Sequence, residues 1–406
     1  MRVWIVNYYT RPDCSNPRYL EFAKHFMEKG WEVLTFYANY WEEQTSLFEE
    51  IKQDGLDFVK VKAVKYGRST PRRMYSIWKF AQTIKKHKGE FQKPDVILHN
   101  VHAPFDYPIV KVAKKLGAKY VTEVWDLWPD NFANFGMISR RNPVMMFFYR
   151  IERWIYEHAD QLVFTIAGAL QYLQDKRWTT NTGGKIDMNH VHYINNGVDL
   201  ERFDHDRDSY PREDADLNCK DIFKVIYLGS ISFANQVQML IDAAALLQRD
   251  TNYHFFIYGN GPQREALEQY VVDKGIKNVH FKEKRIPLCE CAWVVSQATV
   301  NIMTYEQRFG YMGVSSGKMF QYLAAGKPIV CNINIAYDNV IQDNELGVSE
   351  NITTPEALCQ AIRNCAEQPR YRYDGMCELV CKTAEQFDYK KLAAEEIRVI
   401  EAALAS

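Results

Sequence analysis

The stretch that most constrains the fold is SSGKMFQYLAAGKPIV, residues 315–330. Ser315 and Ser316 are favourable N-cap residues, and the run after them predicts a helix over 317–325. Gly326-Lys327-Pro328 ends that helix and leads into a strand. The helix start offers free backbone N–H groups, whereas Lys318 in its first turn opposes the helix dipole. This combination indicates a site for an anion such as phosphate.

Strands and helices alternate outward from this stretch along the whole chain. In the first half, β-branched and aromatic runs predict strands at 2–7, 31–38, 94–100, 119–125 and 161–166, with helices near 17–29, 76–88, 107–116 and 143–159. In the second half, strands are predicted at 223–228, 253–258, 278–281, 299–304 and 328–333, with helices at 236–249, 262–274, 287–297, 317–325 and 355–367. Such alternation is typical of parallel sheets in doubly wound α/β domains.

The division into domains follows from a polar, acidic segment in the middle of the chain. We predict an N-terminal domain over 1–200, a linker over 201–222 and a C-terminal domain over 223–385. The last segment, 386–406, is an amphipathic helix with apolar positions at Leu392, Ile397, Ile400 and Leu404.

Composition excludes several classes of protein. The chain has 406 residues, and 50 Lys and Arg against 51 Asp and Glu give a net charge of −1, so no global charge points to nucleic acid. No apolar run is long enough for a membrane-spanning helix, and the first residues do not resemble a signal peptide. Nine cysteines form no disulfide framework, and the Cys289–Cys291 pair lacks nearby zinc ligands, which favours reduced thiols in a cytoplasmic protein.

Glycines follow two predicted strands of the second half. Gly229-Ser230 comes directly after the strand ending at Leu228, and Gly259-Asn260-Gly261 follows the strand ending at Tyr258. Ligands of parallel α/β sheets bind beyond the carboxyl ends of the strands, where glycine allows close backbone approach. The loops therefore predict a ligand site at this edge of the sheet, with a structural role for the glycines as the alternative.

The stretch 315–330 resembles the donor-binding helix of retaining family 4 glycosyltransferases, particularly the bacterial subgroup that builds O-antigens and capsules. Further segments match in order and spacing: EVWDLWPDNFANFG (123–136), YINNGVDLERF (193–203), GSISFANQVQMLIDAA (229–244) and YGNGPQREALE (258–268). The resemblance covers essentially the whole chain. It implies the GT-B fold, two Rossmann-like domains facing across a cleft, with the C-terminal helix crossing back to the N-terminal domain.

The resemblance also implies the residues that bind the donor. The expected donor is a nucleotide diphosphate sugar, with UDP as the nucleotide. The implied residues are Gly229, Ser230, Gly259, Arg285, Ser315, Ser316, Gly317, Lys318 and Gln321. Gln321 stands where relatives usually have a ribose-binding glutamate, and SFANQVQ lacks their Arg/Lys pair. The diphosphate is therefore expected to rely on Lys318, the helix start, and Arg308 or Arg285. Glu306 corresponds to an acidic residue near the donor sugar, although its spacing to Gln321 is longer.

For the acceptor, the resemblance implies residues of the first half. Asn16, Arg18 and His102 are the expected acceptor contacts, and Asp126 is expected to orient the acceptor hydroxyl or balance developing positive charge. Ser15 or Asn16 is expected to cap the helix over 17–29. A structural role, as a surface arginine or a turn cap, is the alternative for Arg18 and Asp126. Asp204-His205-Asp206 is an unsuitable metal site, because it lies far from the glycine loops; no metal and no other cofactor is expected.

Residues 60–93 carry 11 Lys and Arg against one acid, Glu90, interleaved with aromatic residues. RRNPVMMFFYRIERWIY, residues 140–156, repeats the mixture. Both segments suit an anionic membrane surface, and the alternative is a solvated basic helix over an ordinary core. No nucleic-acid-binding module accompanies them.

Together these features predict a retaining, metal-independent glycosyltransferase. It would move a sugar, for example an N-acetylated hexosamine, to a polyprenyl-diphosphate-linked or oligosaccharide acceptor in cell-surface polysaccharide synthesis. The expected location is the cytoplasm, at the inner face of the cell membrane. Two alternatives remain open, a sugar-nucleotide epimerase on the same fold and a non-catalytic protein that binds nucleotide sugars.

Overall fold

A computed structural model describes residues 1–14, 16–67, 70–102, 104–250 and 252–406. The chain divides into two compact units. The first unit is Met1–Asn195 together with Tyr389–Ser406, and the second is Asn196–Asp388. The expected cap at Ser15 lies outside the described residues.

The first unit is built on a sheet of eight described strands. They are β1 (Arg2–Val6), β2 (Glu32–Asn39), β3 (Phe48–Gln53), β4 (Leu56–Lys62), β5 (Val96–Asn100), β6 (Lys119–Val124), β7 (Gln161–Phe164) and β8 (Val191–Tyr193). Their order is β3-β4-β2-β1-β5-β6-β7-β8, and only the β3–β4 pair is antiparallel. The central strands are buried on both faces, which explains their nearly continuous apolar sequences.

The helices of the first unit include α1 (Arg18–Glu28), α2 (Thr70–His87), α3 (Pro108–Leu116), α4 (Asp130–Asn134), α5 (Pro143–Tyr156) and α6 (Ala169–Asp175). The connections between parallel strands place the carboxyl ends of β1, β2, β5 and β6 at one edge of the sheet. The loops after these strands are therefore neighbours in space.

The second unit contains a parallel sheet of six described strands: β9 (Phe223–Leu228), β10 (Tyr253–Tyr258), β11 (Val279–Phe281), β12 (Val300–Met303), β13 (Ile329–Cys331) and β14 (Gly347–Ser349). Their order is β11-β10-β9-β12-β13-β14. Its helices include α7 (Leu200–Ser209), α8 (Ala215–Asn218), α9 (Val237–Leu247), α10 (Arg264–Asp273), α11 (Leu288–Ser296), α12 (Gly317–Ala324), α13 (Val340–Asp343), α14 (Pro355–Ala366) and α15 (Arg370–Ala384). The predicted fold class of two doubly wound, Rossmann-like α/β domains is confirmed.

The last helix, α16 (Tyr389–Ala405), belongs to the first unit. Leu392 and Ile400 are buried in the same apolar core as Phe22 and Phe26 of α1, whereas Leu404 is partly exposed. The chain therefore leaves the first unit once and returns to it for its final helix.

The predicted linker over 201–222 is wrong, because this segment belongs to the second unit. The Asp199 side chain accepts a hydrogen bond from the Arg202 N–H and so caps α7. Phe203 and Leu217 anchor α7 and α8 in apolar cores of that unit. Two apolar anchors in a strongly charged segment leave too weak a periodic signal to indicate a helix.

Within the described parts of residues 60–93, which are 60–67 and 70–93, the side chains do not form a continuous apolar surface. Ile77 and Phe80 are only 2% exposed and belong to the core, whereas Tyr75 is 52% exposed. The basic side chains of Lys65, Arg72, Lys79 and Lys86 are exposed. None of the helices in the described ranges has the length and hydropathy to cross a bilayer. All nine cysteines are free.

Candidate functional site

Two glycine loops of the second unit touch each other at the carboxyl ends of β9 and β10. Gly259 has φ +128°, and a Cβ atom there would lie 1.8 Å from the Gly229 carbonyl oxygen. A Cβ at Gly261 would lie 2.1 Å from the Ile231 carbonyl oxygen. The buried Arg264 side chain donates hydrogen bonds to the carbonyl oxygens of Gly259 and Lys282, and so fixes the second loop. Only glycine permits this close approach of backbone to backbone.

Lys318 lies against the first of these loops. A Cβ at Gly229 would be 2.9 Å from Lys318 Cδ. Lys318 Nζ donates to Asn235 Oδ1 at 3.1 Å and to the Tyr227 hydroxyl at 3.3 Å, and it lies 4.6 and 4.8 Å from the ring centroids of Tyr227 and Tyr305. Its neighbours are thus neutral. Lys318 and the glycine loop at Gly229 are therefore neighbours in the structure.

The electrostatics of Lys318 are those of a cation that lacks a counter-ion. Burial lowers the pKa of Lys318 to about 8. Among the described residues, no carboxylate forms an ion pair with it. An anion bound beside Nζ would raise the pKa of Lys318 towards its usual value and supply the missing counter-charge. The arrangement is therefore suited to a phosphate group.

The start of α12 contributes further groups next to Lys318. The helix begins at Gly317, which is exposed, after Ser316 in extended conformation. The Ser315 hydroxyl accepts hydrogen bonds from the backbone N–H and Nδ2 of Asn196, at 3.3 and 3.0 Å. Gln321 lies one turn further along and is half-buried. The Met319 N–H donates to the Ser316 carbonyl at 2.9 Å, and the N–H groups before it precede the first full helical turn, a position that suits an anion.

Glu306 and Arg308 pair with each other. Arg308 Nε donates to Glu306 Oε1 at 2.9 Å, and the Arg308 backbone N–H donates to Oε2 at 2.9 Å. The Glu306 N–H donates to the Ala234 carbonyl, which joins the loop after β12 to the loop after β9. Arg285 is exposed and forms no hydrogen bond or ion pair within the described ranges. The structure thus brings Glu306 beside the first glycine loop but gives Arg285 no contact with this cluster.

Arg18 does not contact solvent or an acceptor, and its expected role is wrong. Its guanidinium is completely buried and donates through Nε and Nη2 to the Glu123 carboxylate, at 2.7 Å for the shortest contact. Nη1 donates to the Asn195 carbonyl at 2.6 Å and Nη2 to the Ile194 carbonyl at 3.2 Å. Asn16, half-buried, accepts from the Arg18 N–H through Oδ1 at 3.2 Å and thus supports the start of α1.

His102 and Asp126 lie just after the ends of β5 and β6, respectively. Burial lowers the pKa of His102 to about 4, so its imidazole is neutral at physiological pH. Its backbone N–H donates to Asp106 Oδ2 at 2.9 Å. Asp126 has part of its surface open to solvent, yet the surrounding protein atoms raise the pKa of its carboxyl group and the charge of Arg73 opposes that shift. His99 points into the interior, where Nδ1 lies 2.6 Å from the Tyr120 hydroxyl.

A cluster that sequence reasoning missed surrounds these residues. Arg73 Nε donates to the Tyr9 hydroxyl at 2.8 Å, and Tyr9 in turn contacts His102 with ring centroids 4.8 Å apart. The rings of Tyr40 and Tyr66 stack at 4.8 Å beside it. Arg73 is half-buried and has no carboxylate partner among the residues described. Partly exposed aromatic faces, a carboxylate and an unpaired guanidinium form a suitable surface for a sugar ring that carries an anionic group.

Two family models match the chain. The model described as Glycosyltransferase Family 4 covers residues 18–202, and the model described as Glycosyl transferases group 1 covers residues 222–368. The chain belongs to the family 4 glycosyltransferases. The first range contains Arg73, His102 and Asp126 but not Tyr9, and the second lies within the second unit and contains Lys318.

Similar proteins support this assignment. The glycosyltransferase is 23% identical over 349 residues to "Probable glycosyltransferase WbjE" of Pseudomonas aeruginosa, and the match covers 81% of this chain and 82% of that protein. Among solved structures, it is similar to WaaG, "a glycosyltransferase involved in lipopolysaccharide biosynthesis", with a TM-score of 0.70, 16% identity and coverage of 98% and 99% of the two chains. HepE of Anabaena in complex with UDP gives a TM-score of 0.68 and 13% identity, with 99% and 100% covered. These similarities confirm the GT-B fold.

Within the described ranges, the glycosyltransferase has no cluster of three His, Cys, Asp or Glu side chains arranged for a metal ion. Asp204 and Asp206 lie on α7, where Arg207 pairs with Asp204 at 2.7 Å and Arg202 with Asp206 at 3.5 Å. These carboxylates are therefore part of surface ion pairs.

Proposed function

We propose that this glycosyltransferase moves a sugar from a nucleotide diphosphate donor to a lipid-linked or oligosaccharide acceptor in cell-surface polysaccharide synthesis. The observation that carries the proposal is Lys318, a half-buried cation without a carboxylate partner among the described residues, held against the glycine loop at Gly229. The complex of HepE with UDP supports UDP as the nucleotide, and the role of WaaG supports a cell-surface glycan as the product. The sugar is a hexose or an N-acetylhexosamine.

In this proposal, the donor diphosphate binds at the start of α12. The backbone N–H groups there and Lys318 Nζ bind its oxygens, while Gly229 and Gly259 leave space for it. These N–H groups and Lys318 Nζ stabilise the negative charge that develops on the diphosphate when its bond to the sugar C1 atom breaks. Lys318 and the helix start thereby supply the stabilisation that a metal ion provides in other transferases.

The transfer itself is proposed to retain the configuration at C1. The acceptor oxygen forms its bond to C1 on the face from which the diphosphate departs, and the acceptor proton passes to the departing diphosphate oxygen. Asp126, which interacts electrostatically with Arg73 in the first unit, orients the acceptor hydroxyl. Its raised pKa and partial exposure suit a carboxylate that exchanges hydrogen bonds with an entering hydroxyl group.

The donor role is tested by Lys318→Ala. We expect turnover to fall at least about a hundredfold, because a transition-state charge loses its main cation. The stabilisation by UDP in a thermal-shift assay, about 2.7 kcal/mol at a hundredfold excess over Kd for the unmodified protein, should also be largely lost. Lys382→Ala, which removes an exposed lysine of α15, is the matched control and should change neither value.

Measurements of turnover, of acceptor-free conversion and of binding separate the alternatives. Unchanged turnover in Lys318→Ala would contradict the assignment of the donor site. Conversion of a nucleotide sugar without any acceptor would show an epimerase instead. Binding of UDP-sugars without transfer or hydrolysis, over a panel of polyprenyl-diphosphate-linked acceptors, would show a non-catalytic binding protein.

A further inference from the structure

The N-terminal half of α5 and the loop before it expose large apolar side chains. Met137 is 71% exposed, Val144 52%, Met146 49% and Phe147 56%. The buried side of α5 is formed by other positions, among them Met145 and Ile155. Val144, Phe147, Ile151 and Trp154 recur at helical spacing, so they share the outward side. We call the exposed residues of 137–150 the α5 face.

The charges around the α5 face are mainly positive, although Arg140 pairs with Asp130 and Arg153 with Glu157. Residues 136–156 contain four arginines, Arg140, Arg141, Arg150 and Arg153, and a single acid, Glu152, which is buried. Arg141 and Arg150 are exposed and make no ion pair within the described chain. On the neighbouring helix α3, Lys111 is exposed and its Nζ lies 5.9 Å from the Trp154 ring centroid. An acidic group in solution would therefore meet the unneutralised charges of Arg141, Arg150 and Lys111 along this face.

We infer that the α5 face is the surface by which this protein binds an anionic phospholipid bilayer. An apolar side of a helix flanked by arginines, with an aromatic residue at its edge, matches the interfacial region of a membrane, where apolar side chains enter the acyl boundary and guanidinium groups bind phosphates. Large apolar side chains that are exposed to water together are unfavourable, and such a patch marks an interaction surface.

The structure favours the α5 face over residues 60–93 as the membrane contact. In the latter segment, the described apolar residues Ile77 and Phe80 are buried, so its exposed surface is mainly basic. Basic side chains alone attract anionic lipid but insert no apolar group, whereas the α5 face offers both contributions. Residues 60–93 then add electrostatic attraction only.

The test is sedimentation with phosphatidylcholine vesicles that contain phosphatidylglycerol, compared with phosphatidylcholine alone. We expect Met146→Ser/Phe147→Ser to lower the partition coefficient about tenfold, because the inserted apolar area is lost. Arg141→Gln/Arg150→Gln should lower it about twentyfold on anionic vesicles, since each basic residue near the surface contributes about fivefold. Binding should decrease as salt is raised.

Matched controls remove equivalent groups from the second unit. Leu246→Ser/Val272→Ser changes two apolar residues that are 51% and 72% exposed, and Lys284→Gln/Lys382→Gln removes two exposed charges. Neither control should change vesicle binding. All of the substituted positions are exposed, so each variant should keep the melting temperature of the unmodified protein.

Several results would overturn the inference. Unchanged partitioning of Met146→Ser/Phe147→Ser, or equal binding to neutral and anionic vesicles, would contradict it. Concentration-dependent self-association that disappears in the same variant would show that a second copy of the chain covers the face. Because vesicle binding requires no donor and no transfer, failure here leaves the proposed function untouched, and UDP binding can be measured on the same variants.

Discussion

Replacing Glu396 by glutamine should stabilise the first unit progressively as the pH rises. Glu396 of α16 is completely buried beside the Glu123 carboxylate, and no described donor forms a hydrogen bond with either of its carboxyl oxygens. The nearest cation, Arg18, already donates to Glu123 and to two backbone carbonyls. Burial and the negative charge of Glu123 therefore raise the pKa of the Glu396 carboxyl group well above its usual range.

The size of the effect follows from proton linkage. In the unfolded chain a glutamate loses its proton near pH 4.3, whereas folded Glu396 keeps it to a higher pH. Between these two pKa values the folded state holds one extra proton, so stability falls by up to about 1.4 kcal/mol per pH unit. Glutamine does not ionise. From pH 5 to pH 7 the variant should therefore gain up to about 2.7 kcal/mol over the unmodified protein, or about 5 to 10 °C in Tm.

The assay is thermal unfolding followed by tryptophan fluorescence between pH 5 and pH 8. Eight of the nine tryptophans lie in the first unit, and only Trp293 lies in the second, so the signal reports the unit that contains Glu396. Glu395→Gln, which removes the same charge from the adjacent, half-buried position, is the control and should show a constant Tm difference. A Tm difference for Glu396→Gln that stays constant over this range would refute the reasoning.

Three further predictions concern the candidate site. Gly259→Ala should abolish the thermal shift by UDP, since its Cβ would lie 1.8 Å from the Gly229 carbonyl oxygen, whereas Gly375→Ala, with no atom within 4 Å, should preserve it. The Kd of UDP, measured by calorimetry, should rise about tenfold per pH unit above about pH 8, because Lys318 loses its proton there; a flat profile would contradict its contact with the diphosphate. Arg73→Met should raise the KM of an anionic acceptor about tenfold without changing UDP binding, whereas a similar increase in Arg72→Met, the exposed neighbour, would indicate a general charge effect.

Local signals predicted the secondary structure around Lys318 and the two glycine loops of the second unit. Lys318, its helix and the glycine loops are defined by short stretches, since a helix start or a strand-to-loop transition depends on adjacent residues. The β3–β4 hairpin was missed although Asp54-Gly55 is a strong turn signal; both residues have positive φ, +51° and +79°. Its polar strand β3 lies at the edge of the sheet, and such a strand carries no buried periodicity.

The contacts of Arg18 and Arg73 in the first unit join residues that are distant in sequence. The residues next to Arg18 in the sequence predict an ordinary surface arginine. In the structure it forms a buried ion pair with Glu123, which is 105 residues away. Arg73 shows the opposite case, because a basic helix start is ordinarily solvated. Its contact with Tyr9, 64 residues away, brings it to the ends of β5 and β6. No short pattern records such pairings, so these residues could be assigned only from the structure.

The return of α16 to the first unit imposes an order on folding during synthesis. The second unit, Asn196–Asp388, is a continuous segment that is synthesised before Tyr389–Ser406. Most of it emerges while the core around Phe22 and Phe26 still lacks Leu392 and Ile400. The nascent N-terminal half therefore exposes that apolar surface for the time needed to translate about 200 further residues, about 10 to 40 s at ordinary elongation rates. Chaperone protection during this interval is expected to matter more for the first unit than for the second.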